Sequence, residues 1–182
     1  MSESTETVDL LSSLEGHRKF LRYTAKDLTD EQAAQRTTVS ELCIGGLIKH
    51  VSQVEQNWAR FIVEGPSARS SSSAAADTES DDAGSDSASS QHAAWERGFQ
   101  MTGGDTLAGL IEQYEKVAAA TDELVRTIDL NEAHPLPEAP WFQPGATWTN
   151  RRVLLHIIAE TSQHSGHADI IREALDGSKT MG

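Results

Sequence analysis

The sequence predicts an all-α four-helix bundle with one long disordered insertion between its second and third helices. Four segments carry apolar residues at helical spacing over three or more turns. No stretch alternates apolar and polar residues as a half-buried strand does, and one long polar run separates the second segment from the third.

The first helix runs from about Asp9 to Lys26, with Leu10, Leu14, Phe20 and Leu21 among its apolar positions. Thr29-Asp30-Glu31-Gln32 has the form of a capping box, in which the two end side chains bond free backbone amides, and it opens a short helical turn. The second helix begins near Ser40 and continues to about Val63, with Leu47, Val51, Val54, Trp58, Phe61 and Ile62 as its apolar stripe. Gly103-Gly104 then breaks the chain and Asp105 supplies a cap. The third helix follows from about Thr106 to Ile128 through Leu110, Tyr114, Val117 and Leu124. Pro135, Pro137, Pro140 and Pro144 make the next stretch a loop. Thr149 caps the fourth helix, which extends to about Leu175 and stops at Asp176-Gly177, where glycine tolerates the left-handed backbone that ends helices.

Residues Ser67 to Gln91 are nearly all Ser, Ala, Asp and Gly, with five acids against one base. Such a run buries too little apolar surface to offset its ordering entropy. Neither flank alone supplies a sufficient core, so residues 1–182 are expected to form one domain with 67–91 as an insert. The insert accounts for −4 of the formal charge of −13, and the remaining −9 belongs to the surface of the bundle.

That charge, with no basic stripe, argues against nucleic acid or an anionic membrane as partner, because phosphate binding rests on clustered Lys and Arg. The acidic start of the chain lacks the basic and apolar regions of a signal peptide, and the longest apolar run falls far short of the ~20 residues that span a bilayer. A soluble, cytoplasmic protein is expected. The single cysteine, Cys43, excludes an intramolecular disulfide and any multi-cysteine cage, so a metal would have to be held by His, Asp and Glu.

Glu160 and His164 have that chemistry at helical i,i+4 spacing, on one face of the fourth helix with Val153, Ile157 and Ile171. A carboxylate turned toward a core needs a partner, because an unpaired buried charge costs several kcal/mol. His50 offers a third donor from the apolar side of the second helix, near Leu47, Val54 and Phe61. Three protein donors leave a coordination position open, the arrangement of catalytic zinc, and nitrogen and oxygen donors also suit nickel, iron or manganese. A core histidine bonded to a carbonyl and a buried Glu160–His164 pair would account for the same residues without metal. His156 lies roughly 12 Å along the helix from His164, too far to share one ion directly. His167 could reach, and is expected to support the site or contact a substrate. Asp169 and Arg172 read as solvated or ion-paired. Cys43 falls on the His50 face and reads as a small buried hydrophobe. His17, His92 and His134 read as structural or surface residues. Trp58, Trp95, Trp141 and Trp148 read as packing residues, with Trp141-Phe142-Gln143-Pro144 able to line a pocket mouth.

The segments Leu47-Ile48-Lys49-His50-Val51 with Glu55 and Trp58, Gly104-Asp105-Thr106 with Tyr114, and His156 through Glu173 ending in Asp176-Gly177 resemble the DinB/YfiT-like superfamily of metal-binding four-helix bundles. The likeness is greatest to an actinobacterial branch long catalogued as a domain of unknown function, and covers nearly all of the chain except the Ser-rich insert. The resemblance implies a metal held by His50, Glu160 and His164. Many members have histidine where this chain has Glu160, but a His, Glu, His set is similar to that of mycothiol-dependent maleylpyruvate isomerase. It also implies a low-molecular-weight thiol cosubstrate, mycothiol or bacillithiol, whose sulfur attacks an electrophilic small molecule. His167 would then serve as a cofactor-binding residue. Two alternatives stand beside this reading: a metal-stabilised, non-catalytic bundle acting as a homodimer or through protein interaction, and a metal-dependent hydrolase in which Glu160 acts as base.

Overall fold

The structure, a computed structural model, describes residues 4–67, 98–137 and 142–180. The Ser-rich insert beyond Ser67 lies outside the described residues, as do His92, Trp95 and Trp141. The elements are helices α1 (Thr5–Thr24), α2 (Asp30–Ala33), α3 (Ile44–Glu64) and α4 (Leu107–Thr127), strands β1 (Ala133–Pro135) and β2 (Thr147–Thr149), and helix α5 (Asn150–Asp176). The four long helices are the four expected from apolar spacing. Around the bundle α1 packs on α5, α5 on α3, α3 on α4, and α4 closes on α1. No helix among the described residues is long and apolar enough to cross a membrane.

The helix ends follow their side chains. In the box that opens α2, the Thr29 hydroxyl accepts from the Gln32 amide and the Gln32 side chain from the Thr29 amide. Thr149 caps α5, and Gly177 ends it at φ 80°, a left-handed conformation that costs glycine little. Two caps differ from expectation. Helix α3 starts at Ile44 rather than near Ser40, because the Cys43 sulfur accepts from the Gly46 amide. Helix α4 is capped by Thr106 rather than Asp105, whose carboxylate instead accepts from the Thr102 amide and from Lys49 of α3.

The expected absence of strands is also corrected. β1 and β2 form a two-stranded antiparallel ribbon in which Ala133 faces Thr149, His134 faces Trp148 and Pro135 faces Thr147. Three-residue strands beside prolines leave no alternating window to read. The ribbon runs directly into α5, where the Asn150 and Arg151 amides donate to the Glu132 and Leu130 carbonyls. Trp148 is thus a strand residue, stacked on Trp58 of α3 at 5.1 Å between ring centres.

Two apolar clusters fill the bundle. One gathers Leu21, Ile44, Leu47, Ile48, Val51 and Ile171, and the other Leu14, Trp58, Phe61, Val153, Leu154 and Ile157. Along α1 and α3 a polar layer lies between them, centred on Arg18 and Glu55, both fully buried. Arg18 donates to the two Glu55 carboxylate oxygens at 2.5 and 3.2 Å and to Asp122 of α4 at 2.7 Å. Burial disfavours its charge, but Glu55 and Asp122 outweigh that and raise its pKa above the ordinary value. Thr121, Thr161 and Ser165 satisfy their buried hydroxyls on carbonyls one turn back in their own helices.

Candidate metal centre

His50 lies two turns into α3, and Glu160 and His164 lie one turn apart on α5, the helix packed against it. One ligand atom from each residue can be chosen so that all three lie within 4.8 Å of one another, close enough to share an ion. The His164 Nε2 is 3.5 Å from a Glu160 oxygen, and the His50 and His164 rings meet edge to face at 4.9 Å. Glu160 is not enclosed: its side chain keeps 27% of its surface, so it stands at the rim of the core beside buried Val153 and Ile157. That removes most of the burial cost the sequence suggested, and leaves the cluster open to a small ligand.

Two of the three groups, His50 and Glu160, are at neutral pH in the form a metal needs. Burial, helped by the neighbouring His164, lowers the His50 pKa to about 4, so its imidazole is neutral. A hydrogen bond from His164 holds the Glu160 carboxyl below its usual range against partial burial, so it is ionised. Two imidazoles and a carboxylate form a fitting set for a divalent ion.

The remaining histidines of α5 flank this set. His156 Nε2 lies 3.9 Å from the other Glu160 oxygen, with its ring edge-on to both Trp58 and Trp148 at about 5 Å. Burial lowers its pKa, so it too is neutral. His167 Nδ1 lies 3.4 Å from His164 Nδ1, the ring nitrogen opposite the one that faces Glu160. Metal-binding histidines are commonly oriented through that second nitrogen. Arg172 pairs with Asp176 and donates to the Thr24 and Lys26 carbonyls, while Asp169 accepts from the Thr180 amide. Both therefore serve the end of the bundle. Cys43 is buried at the start of α3, and His134 packs edge-on against Phe61 from β1.

Sequence reasoning passed over Phe99, whose ring lies parallel to His50 at 3.9 Å and tilted to His164 at 5.9 Å. Its signal was the Gly45-Gly46 pair: a Cβ on Gly46 would collide with the Phe99 carbonyl, and one on Gly45 with the Met101 sulfur. A groove of about 650 Å³ between α3 and α4 is lined by Gln56, Ala59, Val63, Val117 and Leu124 among others. These α3 residues point away from His50, so the groove is separate from the cluster.

The sequence model of the mycothiol-S-transferase family matches residues 9–177. The chain belongs to that family. This is a DinB-like family, so membership agrees with the resemblance carried by the His50 and Glu160–His164 segments. The match to the mycothiol-S-transferase family covers both helices that build the cluster, α3 and α5, and ends at the Gly177 cap. A crystal structure described as that of the conserved protein of a locus from Enterococcus faecalis superposes with a TM-score of 0.62 at 14% identity. It covers 98% of this chain and 100% of that one, which shows a shared fold. No curated protein matches the chain.

Proposed function

We propose that this protein is a metal-dependent thiol S-transferase. In this reading His50, Glu160 and His164 hold a divalent ion, best zinc, and a mycothiol-type thiol is joined to an electrophilic small molecule. The observation that carries the reading is the convergence of those three donors from α3 and α5, within 4.8 Å, in a chain of the mycothiol-S-transferase family.

Each residue has a role that follows from its place. His50 and His164 supply nitrogen donors, and Glu160 supplies a negative oxygen that offsets part of the ion's charge. His167, at the far nitrogen of His164, fixes that ring's orientation, and lies close enough to meet a thiol entering the site. His156 keeps Glu160 company on its other side and, with Trp58 and Trp148, forms an apolar wall that excludes water from one flank. A divalent ion in this set supplies Lewis acidity, which favours the thiolate form of a thiol at neutral pH. In the transfer, the S–H bond breaks and its proton passes to solvent, sulfur forms a bond to the electrophilic carbon, and the carbon–halogen bond of a haloaromatic or halobimane breaks as halide leaves with its electron pair. The chain's own Cys43 is not needed, being buried at a helix start.

The test is loss of free thiol when purified protein meets mycothiol or bacillithiol and a panel of haloaromatic and bimane electrophiles, with and without chelator. Thiol consumption that needs metal and is lost in His164→Ala supports the reading. Bound metal with no consumption of either thiol removes the transferase assignment and favours a metal-stabilised bundle. The acidic surface and the small-molecule site fit a cytoplasmic enzyme, and size-exclusion chromatography with light scattering decides between monomer and homodimer.

A further inference from the structure

The connection that enters α4 is tied to the first turns of α3 at successive points. The Cys43 sulfur contacts the Phe99 carbonyl oxygen at 3.7 Å, and the bare glycines at 45 and 46 let Phe99 through Met101 lie against the helix backbone. Lys49, the residue before His50, reaches the Asp105 carboxylate at 2.8 Å and the Thr102 hydroxyl at 3.3 Å. Asp105 in turn accepts from the Thr102 amide and hydroxyl at 2.8 and 3.0 Å, which closes the strap on itself. Between these ties the Phe99 ring, only 7% exposed, lies on the His50 imidazole at 3.9 Å and 23°.

The geometry points to Phe99 as the positioning residue for His50, seated by the Gly45-Gly46 notch and the Lys49–Asp105 tie so that its ring sets the plane of the imidazole. The physical reason is torsional. The last side-chain torsion of histidine is broad, so an unsupported imidazole must lose rotational freedom when it meets an ion. A parallel aromatic face held at contact distance removes that freedom beforehand. The His50 backbone is fixed by α3, but nothing in a helix fixes the ring. Glu160 and His164 steady each other across one turn of α5, whereas the His50 ring takes its contacts from other segments, an edge-to-face meeting with His164 at 4.9 Å and the flat face of Phe99 at 3.9 Å. Glycine at 46 is required because any side chain there lifts the Phe99 carbonyl, and with it the ring.

The inference rests on His50 being a metal donor, and the test separates the two. Metal-free full-length protein is titrated with Co²⁺ alone, reading affinity and the visible ligand-field spectrum, while the melting temperature of each metal-free variant is recorded. Phe99→Leu, which keeps apolar bulk but removes the flat ring, is expected to weaken Co²⁺ binding roughly tenfold or more and to alter the spectrum. Phe99→Tyr restores both. Gly46→Ala, which favours a helix in isolation, is expected to act like Phe99→Leu, and it decides the matter should Phe99→Leu fail to fold. Phe99→Leu and Gly46→Ala binding Co²⁺ with wild-type affinity and spectrum, while His50→Ala binds weakly, overturns the positioning role alone. Wild-type protein that binds no Co²⁺, or binds it as His50→Ala does, overturns both readings.

Discussion

Glu55→Ala should be among the most destabilising single substitutions in the bundle. Arg18 is fully buried and makes three side-chain bonds, two of them to Glu55 and one to Asp122. Removing Glu55 leaves a buried guanidinium with only Asp122, whose side chain is 27% exposed and so a weaker counter-charge. Breaking one side of a buried pair costs about 3–5 kcal/mol, mainly because the surviving charge is left uncompensated. At roughly 2–4 °C per kcal/mol for a chain of this size, the melting temperature should fall by roughly 6–20 °C. Urea unfolding followed by circular dichroism gives the free energy directly, and an unchanged slope would show that both proteins unfold in the same way. The companion is Arg18→Met with Glu55→Leu, which removes both charges and should recover most of the loss. If Glu55→Ala unfolds within about 1 kcal/mol of wild type, or if the double variant is no better than the single, the polar layer is not held by this pair.

The other predictions concern the donor cluster. His50→Ala and His164→Ala should each weaken zinc binding by more than about 100-fold in competition with a chromophoric chelator, since each removes a donor rather than a supporting bond. The metal-free protein should lose stability as pH falls from about 6.5 to about 4. In that window the unfolded chain binds a proton at position 50 and the native chain does not, so stability rises with pH and levels off above it. Allowing for solvent screening at a partly exposed site, the effect is about 1–2 kcal/mol, and His50→Gln should reduce the slope in urea titrations at several pH values, leaving the part contributed by His156, whose pKa burial also lowers. Cys43→Ser keeps a cap for α3 and should leave thiol consumption within about threefold of wild type, whereas loss of activity in a folded variant would implicate the chain's own thiol.

The helices were legible because apolar spacing and caps are local. The Thr29–Gln32 box, the Thr149 cap and the Gly177 stop all lie where their side chains place them. The grouping of three side chains could be drawn because i,i+4 spacing fixes Glu160 against His164, while a helix face aims His50 at its neighbour. What escaped depends on contacts between distant segments. Nothing near Arg18 marks it as the buried partner of Glu55, 37 residues away. The Phe99 ring reaches His50 only because two glycines leave room for a backbone crossing, and a pair of glycines in a helix can be read as mere tolerance. Asp105 looked like a cap because aspartate often is one, yet Lys49 was within reach and Thr106 took the cap instead.

The measurement that bears most directly on the account is zinc K-edge X-ray absorption of the tag-free, zinc-loaded protein before and after addition of mycothiol. The account predicts a shell of nitrogen and oxygen alone at first, because the single cysteine is buried at the start of α3. A sulfur scatterer near 2.3 Å should then arise with the thiol and be absent in His164→Ala. Stoichiometric zinc whose scattering shell stays unchanged at saturating mycothiol would contradict it.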